Sequence, residues 1–376
     1  MNICIAVVAF NKLKPLKRLL QSLSEVVIPK TLKVDLCFCI DGGGTPEIEE
    51  VAKDFNWHGE NKKINVQPTN IGLKKNVYKT MKLGTEYDFL VILEDDLFIS
   101  TQLLKYIESV AVFYGDSSYL GGYSLYSPNF NETAYTAFKP LNDNKDIYFM
   151  KVPSSWGQFY SKKQLENYFV WLENAQNVDL SSLPPNVSRW SDKSWKKEYF
   201  LYLIETGKYF LYPRNSLTTN FADAGVHHRG SDLYQVTLLI DFRDLNLVEI
   251  NGSKCVYDEF CELEPECLNR QVTKLQNYNY TVDLYGYKPL DSATNGYQYI
   301  LSTVCHGKAL MSWDNSLIPL EMNILSDLSG EGIYLYKTEN LKFKRLNIIR
   351  SRIKKFFKLH QIRIDSSLVS RLVGRN

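Results

Sequence analysis

The first hundred residues alternate short apolar runs with segments of helical spacing, and this alternation leaves few folds open to the chain. Residues 2–10 are apolar and rich in β-branched side chains, and the leucines after them recur every three or four positions. Strands that alternate with helices of about ten residues indicate a mostly parallel sheet with helices on both faces. The predicted strands are 2–10, 34–40, 63–67 and 87–93, and predicted helices between them include 48–55 and 73–83. Later elements are predicted as helices at 101–113, 162–172 and 193–206 and a strand at 209–212.

The composition is that of a folded protein. Of the 376 residues, 44% are hydrophobic and 23% are charged, which argues against a mainly disordered chain. This length suits one large α/β domain with an appendage, or two modest domains. The seven cysteines are an odd number, and three of them lie in strand-like runs, where cysteine behaves as a small hydrophobic residue. The spacing of Cys255, Cys261 and Cys267 does not indicate whether they bind anything, since no close pair resembles a zinc site.

The sequence also predicts where the protein resides. The first twenty residues lack the charged start, apolar core and small-residue cleavage site of a secretory signal. No apolar run approaches the roughly 18 residues that a membrane-spanning helix needs. We therefore expect a cytoplasmic protein.

The last 35 residues are strongly basic. They hold eleven Lys and Arg against one acid, so this tail carries about +10 while the whole chain carries +2. A basic amphipathic helix of this kind is typical of binding to an anionic membrane surface, so we expect the protein at the inner face of the cell membrane. Packing against the body of the chain or against a partner helix is left open, and nucleic acid is not expected as a partner. The apolar face of this predicted helix consists of Leu346, Ile349, Ile353, Phe356 and Phe357.

Polar segments follow three of the predicted strands. They are Phe10 to Lys12, Asp41 to Gly44, and Glu94 to Asp96. Ligands of open α/β sheets bind outside the carboxyl ends of the strands, where loops and helix starts meet. We therefore expect the three segments to line one crevice.

The acid run Glu94, Asp95 and Asp96 needs a compensating cation. Burying an ionised carboxylate costs several kcal/mol unless a cation or hydrogen bonds balance it. In an extended chain Glu94 and Asp96 share one face and Asp95 lies on the other. One such carboxylate can hold Mn²⁺ or Mg²⁺, with the other oxygens supplied by substrate phosphates. A helix cap is the alternative and is favourable by about 1 kcal/mol, but it accounts for one acid of the three.

Two further segments have the chemistry of nucleotide contacts. Asp41 to Gly44 offers a carboxylate beside backbone that a base or ribose can approach closely, although Asp-Gly is also an ordinary turn. Asn70 to Lys74 can place backbone amides and a lysine near phosphates at a helix start, or it can be a plain helix cap. The candidate nucleotide-binding residues are Phe10, Asn11, Lys12, Asp41, Gly42, Asn70, Leu73, Lys74, Glu94 and Asp95.

The order of these motifs resembles a known family. AVVAFNK, CIDGG, NIGLKKN and VILEDDL are similar to the nucleotide-sugar half of the GT-A glycosyltransferases. The segments SSWGQFY, RWSDKSW and FLYPRNSLTTNFADAGVHHRG resemble the acceptor half of the N-acetylglucosaminyltransferase I family and its O-mannose-linked relative. The resemblance covers roughly residues 2 to 235. It implies a GT-A type α/β fold and a nucleotide-sugar donor, by similarity UDP-GlcNAc.

The resemblance also implies roles for single residues. The third acid of the family's triplet binds the metal, which corresponds to Asp96. The family's catalytic base lies between two tryptophans and corresponds to Asp192, which lies between Trp190 and Trp195. The family's donor-closing loop corresponds to the segment that contains His227 and His228. Their imidazoles are candidates for contact with the diphosphate or the metal, or they are solvated loop histidines.

The chemistry of inverting transfer supports the same two acids. The reaction needs a base that faces the acceptor hydroxyl and a cation at the leaving diphosphate. Between two tryptophans Asp192 would be partly desolvated, which raises a carboxyl pKa toward that of a useful base. Alternatively, Asp192 caps a helix that begins at Lys193. Trp156 can stack on a sugar face, although a tryptophan also serves in packing.

These observations predict three regions and one activity. Residues 1–235 form the transferase domain, with a nucleotide-sugar half (1–100) and an acceptor half (101–235); residues 236–340 form an accessory region of unassigned role, and 341–376 form the tail. We expect metal-dependent, inverting transfer of GlcNAc or another hexose from a UDP-sugar to a glycan or lipid-linked saccharide, as in bacterial surface polysaccharide synthesis. The alternatives are a nucleotidyltransferase and a non-catalytic glycan-binding scaffold. The oligomeric state is not indicated.

Overall fold

A computed structural model describes residues 1–115, 117–175, 180–221, 232–289, 295–304 and 307–341. The chain divides into two compact units. The first comprises Met1–Phe130 and Asn142–Ser253, and the second comprises Asn131–Leu141 and the chain from Lys254 onward. The predicted boundaries at residues 235 and 340 stay predictions.

Strands and helices alternate through the first half of the chain, as predicted. In chain order the strands are β1 Asn2–Ala9, β2 Lys33–Ile40, β3 Lys62–Val66, β4 Phe89–Glu94, β5 Leu97–Ile99, β6 Leu120–Ser124, β7 Phe130–Asn131, β8 Thr136–Ala137, β9 Ile147–Met150, β10 Gln158–Ser161, β11 Tyr209–Pro213, β12 Thr218–Asn220, β13 Val256–Tyr257, β14 Tyr280–Asp283, β15 Tyr299–Ser302, β16 Met311–Trp313 and β17 Ile333–Lys337. The helices are α1 Leu13–Ser24, α2 Pro46–Asp54, α3 Leu73–Leu83, α4 Leu103–Tyr114, α5 Lys162–Asn174, α6 Pro185–Ser188, α7 Trp195–Thr206, α8 Pro265–Asn269 and α9 Glu321–Leu325.

The first unit is built on a mostly parallel sheet, which confirms the predicted fold class. Its strand order is β9-β11-β6-β10-β4-β1-β2-β3. The pairs β1/β2, β1/β4, β2/β3 and β6/β11 are parallel, whereas β10 is antiparallel to both β4 and β6. Val8 pairs with Glu94 and Ala9 with Ile40, so the carboxyl ends of β1, β2 and β4 lie at one edge. The three polar segments that follow these strands therefore begin at the same edge.

Burial of the central strands and of one face of α1 stabilises this sheet. Residues 3–7 of β1 and 90–93 of β4 are almost completely buried. In α1 the buried leucines recur at the helical spacing that the sequence predicts, and each contributes about 1.5–3 kcal/mol by leaving water. They are Leu16, Leu19, Leu20 and Leu23. After β4 the chain turns and enters β5, which pairs antiparallel with β12.

The second unit contains its own sheet, with strand order β14-β15-β17-β16. Beside it lies a buried ion pair, in which Lys288 Nζ is 2.5 Å from Asp258 Oδ2 and 3.1 Å from Thr281 Oγ1. Asp258 Oδ1 also accepts hydrogen bonds from the backbone of Phe260 and Glu262, so this buried carboxylate is fully compensated. The ion pair is a structural contact inside the region whose role the sequence leaves unassigned.

Three cysteines of the second unit are buried. They are Cys255, Cys261 and Cys267, and burial raises the pKa of Cys267 to about 11. A high pKa keeps the thiol protonated and unreactive near neutral pH. Over the described ranges, no helix combines the length and the apolar character needed to cross a bilayer.

Glu321 gives the second unit a pH-dependent stability. This glutamate is 3% exposed, and burial raises its carboxyl pKa from 4.5 to about 7. The folded state therefore binds a proton that the unfolded state has released between these values, so stability falls as pH rises through this window. The wild type is expected to lose on the order of 3 kcal/mol between pH 4.5 and 8 relative to Glu321→Gln, whose amide does not titrate.

Urea unfolding of both proteins at pH 5 and pH 8 measures this difference. The difference between the two proteins in how the free energy of unfolding changes with pH is due to Glu321, because all other titrating groups are shared. Parallel pH profiles would show that Glu321 ionises in the folded state as it does in the unfolded chain.

Candidate active site

The acid run lies at the carboxyl edge of the sheet and faces a lysine. Glu94 is the last residue of β4, and Asp95 and Asp96 form the turn that leads into β5. Lys12 Nζ lies 2.8 Å from Asp96 Oδ2 and 3.9 Å from Asp95 Oδ1. The predicted extended geometry, with Asp95 on the opposite face, is therefore wrong. The turn brings both aspartates to the same lysine.

Burial and the neighbouring carboxylates oppose the ionisation of Glu94 and Asp95. Burial, together with Asp96 and Asp95, raises the pKa of Glu94 to about 8. Burial likewise raises the pKa of Asp95 to about 6, against the attraction of Lys12. Burial alone would lower the pKa of Lys12, but the charge of Asp96 and its hydrogen bond raise it. A further cation at this edge would stabilise the ionised acids.

Asp96 retains an oxygen suited to a divalent ion. Its Oδ1 is buried and, within the described part of the chain, has no hydrogen-bond partner. A carboxylate oxygen is the ligand type that Mg²⁺ and Mn²⁺ take, with waters or phosphates completing the shell. The described residues contain no group of three or more His, Cys, Asp or Glu placed to hold a metal.

Asp41 organises the loops at the end of β2. Its Oδ1 accepts hydrogen bonds from the backbone of Gly42 (2.9 Å) and Ile71 (2.8 Å), and its Oδ2 accepts one from Gly72 (2.9 Å). A Cβ at Gly42 would lie 2.4 Å from the carbonyl oxygen of Gln67, so only glycine fits there. In this structure both oxygens of the Asp41 carboxylate accept hydrogen bonds from the protein's own backbone. Its contact with a nucleotide stays a prediction.

The start of α3 lies beside the loop that precedes α7. Asn70 and Leu73 are exposed, and the backbone of Gly72 has φ 82°, which favours glycine. Lys74 Nζ is 2.7 Å from Glu198 Oε1 and donates a 2.8 Å hydrogen bond to the carbonyl of Asp192. Lys74 therefore joins the predicted nucleotide-sugar half to the predicted acceptor half, and its contact with phosphates stays a prediction.

The structure places Asp192 in water rather than between tryptophans. Its side chain is 99% exposed, and Lys197 Nζ lies 3.3 Å from its Oδ1. The helix α7 begins at Trp195 with Ser194 as its N-cap residue, so Asp192 is not the cap. The expected desolvation of Asp192 is wrong, because its side chain is almost fully exposed. The capping alternative is wrong as well, because two residues separate Asp192 from the first residue of the helix. Its role as base stays a prediction.

Trp156 belongs to an aromatic cluster. Its ring lies 4.9 Å from that of Tyr126 and 4.6 Å from that of Tyr234, measured between centroids. Phe10 donates its backbone N–H to Asp95 Oδ2 at 3.4 Å, and Asn11 is exposed. The predicted pair His227 and His228 lies outside the described residues.

Three residues of the site were missed by the sequence analysis. Glu198 holds Lys74 and also accepts a hydrogen bond from the Tyr78 hydroxyl. The Arg18 guanidinium lies 4.0 Å from the centre of the Phe221 ring. Burial lowers the pKa of Arg18, and the negative charge of Asp96 partly opposes that lowering. Lys196 lies close enough to Glu94 to lower the pKa of that acid. All three lie on helices, where a charged residue gives no local signal that it faces a site.

Comparison with known proteins gives a family match. The model of glycosyl transferase family 2 matches residues 4–217. A search of curated proteins returned no match. Among solved structures, Staphylococcus aureus TarS 1–349 is 15% identical, with a TM-score of 0.38, over 58% of this chain and 60% of that chain. The same TarS fragment with UDP-GlcNAc is 17% identical, with a TM-score of 0.36, over 60% of this chain and 62% of that one.

A further solved structure is less similar in sequence. The mannosyltransferase PcManGT of Pyrobaculum calidifontis, with GDP-Man and Mn²⁺, is 11% identical, with a TM-score of 0.30, over 44% of this chain and 45% of that chain. The chain thus spans about three fifths of the TarS fragment and less of PcManGT.

Proposed function

Since the chain belongs to glycosyl transferase family 2, it is a glycosyltransferase, and we propose that it takes its sugar from a UDP-sugar. GlcNAc or another hexose is the transferred group. The acceptor is a hydroxyl of a glycan or of a lipid-linked saccharide, and the product is inverted at the anomeric carbon. The family membership carries the transferase activity, and the geometry below supports the finer assignment.

One observation carries the metal-dependent donor site. Asp96 ends the acid run at the carboxyl edge of the parallel strands and keeps a buried oxygen with no hydrogen-bond partner in the described residues. Ligands of such sheets bind at this edge. Mn²⁺ or Mg²⁺ held by Asp96 would neutralise the charge that grows on the diphosphate as it leaves.

The cations around Asp96 have a defined part in this proposal. Lys12 donates a 2.8 Å hydrogen bond to Asp96 Oδ2 and so orients the carboxylate. Asp41 fixes the loop backbone at the end of β2 through three hydrogen bonds. Lys12 and Asp41 thus hold a carboxylate and a loop in place at the edge where the ion would bind.

Asp192 is the proposed base. Its exposed carboxylate is open to an acceptor, and Lys197, whose side chain is only 8% exposed, holds one of its oxygens at 3.3 Å. Lys74 holds the carbonyl of the same residue. A base fixed from two sides can take the proton of the acceptor hydroxyl while the bond to the diphosphate breaks.

The basic tail suits an acceptor at a membrane. Residues 342–376 lie outside the described residues, and the proposal rests on their charge and apolar pattern. Basic residues near an anionic leaflet contribute about 1 kcal/mol each. The tail would then bring the transferase domain to lipid-linked saccharides at the inner face of the cell membrane.

Thermal unfolding with nucleotides and metal tests the donor assignment. A ligand that binds only the folded state raises the melting temperature, so UDP with Mn²⁺ should raise it by a few degrees. The rise should vanish with EDTA and should be smaller with GDP. Stabilisation by UDP that is unchanged in EDTA would contradict the metal site, and no stabilisation by UDP under any condition would contradict the donor.

A further inference from the structure

Lys196 is held between two tryptophans at the start of α7. Its Nζ lies 5.7 Å from the ring centre of Trp156 and 5.4 Å from that of Trp190. An ammonium group within about 6 Å of a ring centre is attracted by the negative face of that ring. Two such contacts restrict a side chain that is otherwise flexible.

Both tryptophans are themselves anchored. Trp156 packs against the rings of Tyr126 and Tyr234, and Trp190 packs edge-on against Phe200 at 6.1 Å. Trp190 also packs against a cluster of buried residues that includes Phe200 and Leu201 of α7. The position of the ammonium is therefore set by packed aromatic side chains rather than by the solvent.

Lys196 differs from its neighbours because, among the described residues, no partner accepts a hydrogen bond from its ammonium group. Lys197 pairs with Asp192, and Glu198 pairs with Lys74. Across the ranges that the structure describes, Lys196 makes no ion pair or hydrogen bond, and its side chain is partly exposed. An ammonium group has three N–H donors. The aromatic faces attract its charge, but they do not replace hydrogen bonds to these donors.

The strand pairing places this ammonium near the acid run. Strand β10 is antiparallel to β4, with Gln158 opposite Ile92, so Trp156, two residues before β10, lies at the carboxyl edge of β4. Lys196 lies over the Trp156 ring and is therefore at the same edge as the acid run. Lys12, another lysine at this edge, is already bound to Asp96 at 2.8 Å, whereas Lys196 has no carboxylate partner among the described residues.

We propose that Lys196 binds an acidic group of a substrate, a phosphate or a carboxylate, while the indoles of Trp156 and Trp190 hold its side chain in place. This inference rests on the proposed function, since it assigns the group to a substrate of the transfer reaction. Two sources of the same chemistry exist: the diphosphate of the donor, and an acidic group carried by the acceptor saccharide. A charge-assisted hydrogen bond to either one is stronger than a neutral bond.

Two variants separate binding from packing. Lys196→Met keeps an unbranched side chain between the indoles and removes the charge, whereas Lys196→Arg keeps the charge. Loss of a hydrogen bond to a charged group costs about 1.5–3 kcal/mol, which corresponds to roughly tenfold or more in affinity. Melting temperatures close to that of the wild type confirm that both variants are folded.

The first binding measurement addresses the donor. Titration calorimetry with UDP and with uridine, each in Mn²⁺, compares a ligand that has the diphosphate with one that lacks it. If Lys196 binds the donor, Lys196→Met lowers the affinity for UDP about tenfold and leaves uridine unchanged, and Lys196→Arg restores most of the loss.

The second measurement addresses the acceptor. Saturation-transfer NMR with glucose 6-phosphate and glucose compares an acidic sugar with a neutral one. If Lys196 binds an acidic acceptor group, Lys196→Met leaves UDP affinity unchanged and loses the signal of glucose 6-phosphate, while glucose behaves as in the wild type.

Unchanged binding of both UDP and glucose 6-phosphate in Lys196→Met would overturn the proposal and leave Lys196 with a packing role. Failure of the proposed function is separate, because it appears as a wild-type protein that does not bind UDP at all. The sugar phosphate measurement still tests Lys196 in that case.

Discussion

Replacing Asp96 with alanine is expected to lower sugar transfer by at least roughly a thousandfold, because a bound metal supplies several kcal/mol of transition-state charge stabilisation. The variant should also lose the enhancement of UDP binding by Mn²⁺. Asp95 is not expected to replace Asp96, because Asp95 Oδ2 accepts a hydrogen bond from the Phe10 backbone, whereas Asp96 Oδ1 has no hydrogen-bond partner among the described residues. The measurement is UDP release and UDP affinity, with and without Mn²⁺.

The matched control is Asp54→Ala. Asp54 is an exposed carboxylate at the end of α2, so its loss should leave transfer and Mn²⁺ dependence unchanged. If Asp96→Ala retained Mn²⁺-enhanced UDP binding, the divalent ion would have to bind elsewhere, and the acid run would be a structural partner of Lys12.

Asp192→Asn is expected to lower transfer at least about a hundredfold while UDP affinity stays unchanged, because the amide keeps the shape of the side chain and cannot accept the proton. The amide oxygen can still accept the hydrogen bond from Lys197, so the loop that holds Asp192 should keep its position. The measurement combines the transfer rate with titration of UDP.

Lys193→Ala controls for disturbance of the loop, since Lys193 is the exposed neighbour of Asp192 and is not part of the proposed chemistry. A near-normal transfer rate for Asp192→Asn would assign the base to another residue. Weakened UDP binding would instead place Asp192 among the residues that support the donor site.

The fold could be predicted because it depends on local periodicity. The apolar runs of β1, β2 and β4 are strands because they fill the buried centre of the sheet, and the leucines of α1 cover one face of it. Element ends were less accurate. The helix predicted from Lys193 begins at Trp195, which removes Asp192 from the cap position.

The candidate site could be predicted in part. The acid run and the Lys12 segment follow adjacent strands, so their proximity follows from the parallel order alone. The orientation of the acids could not be predicted, since the turn at Asp95 and Asp96 replaces the expected extended chain. The predicted partners of Asp41 and Lys74 are nucleotide groups, whereas in this structure both side chains bind their own chain.

The sequence by itself determined the alternation of strands and helices, the parallel sheet and the edge at which its acids collect, because these follow from side-chain periodicity over a few residues. Only the tertiary structure decided which cation faces which acid. Lys74 and Glu198 are 124 residues apart in the chain, and Lys12 and Asp96 are 84 apart. Such pairs depend on how separate elements pack against one another, and packing depends on the fit of whole surfaces, which no single stretch of sequence contains.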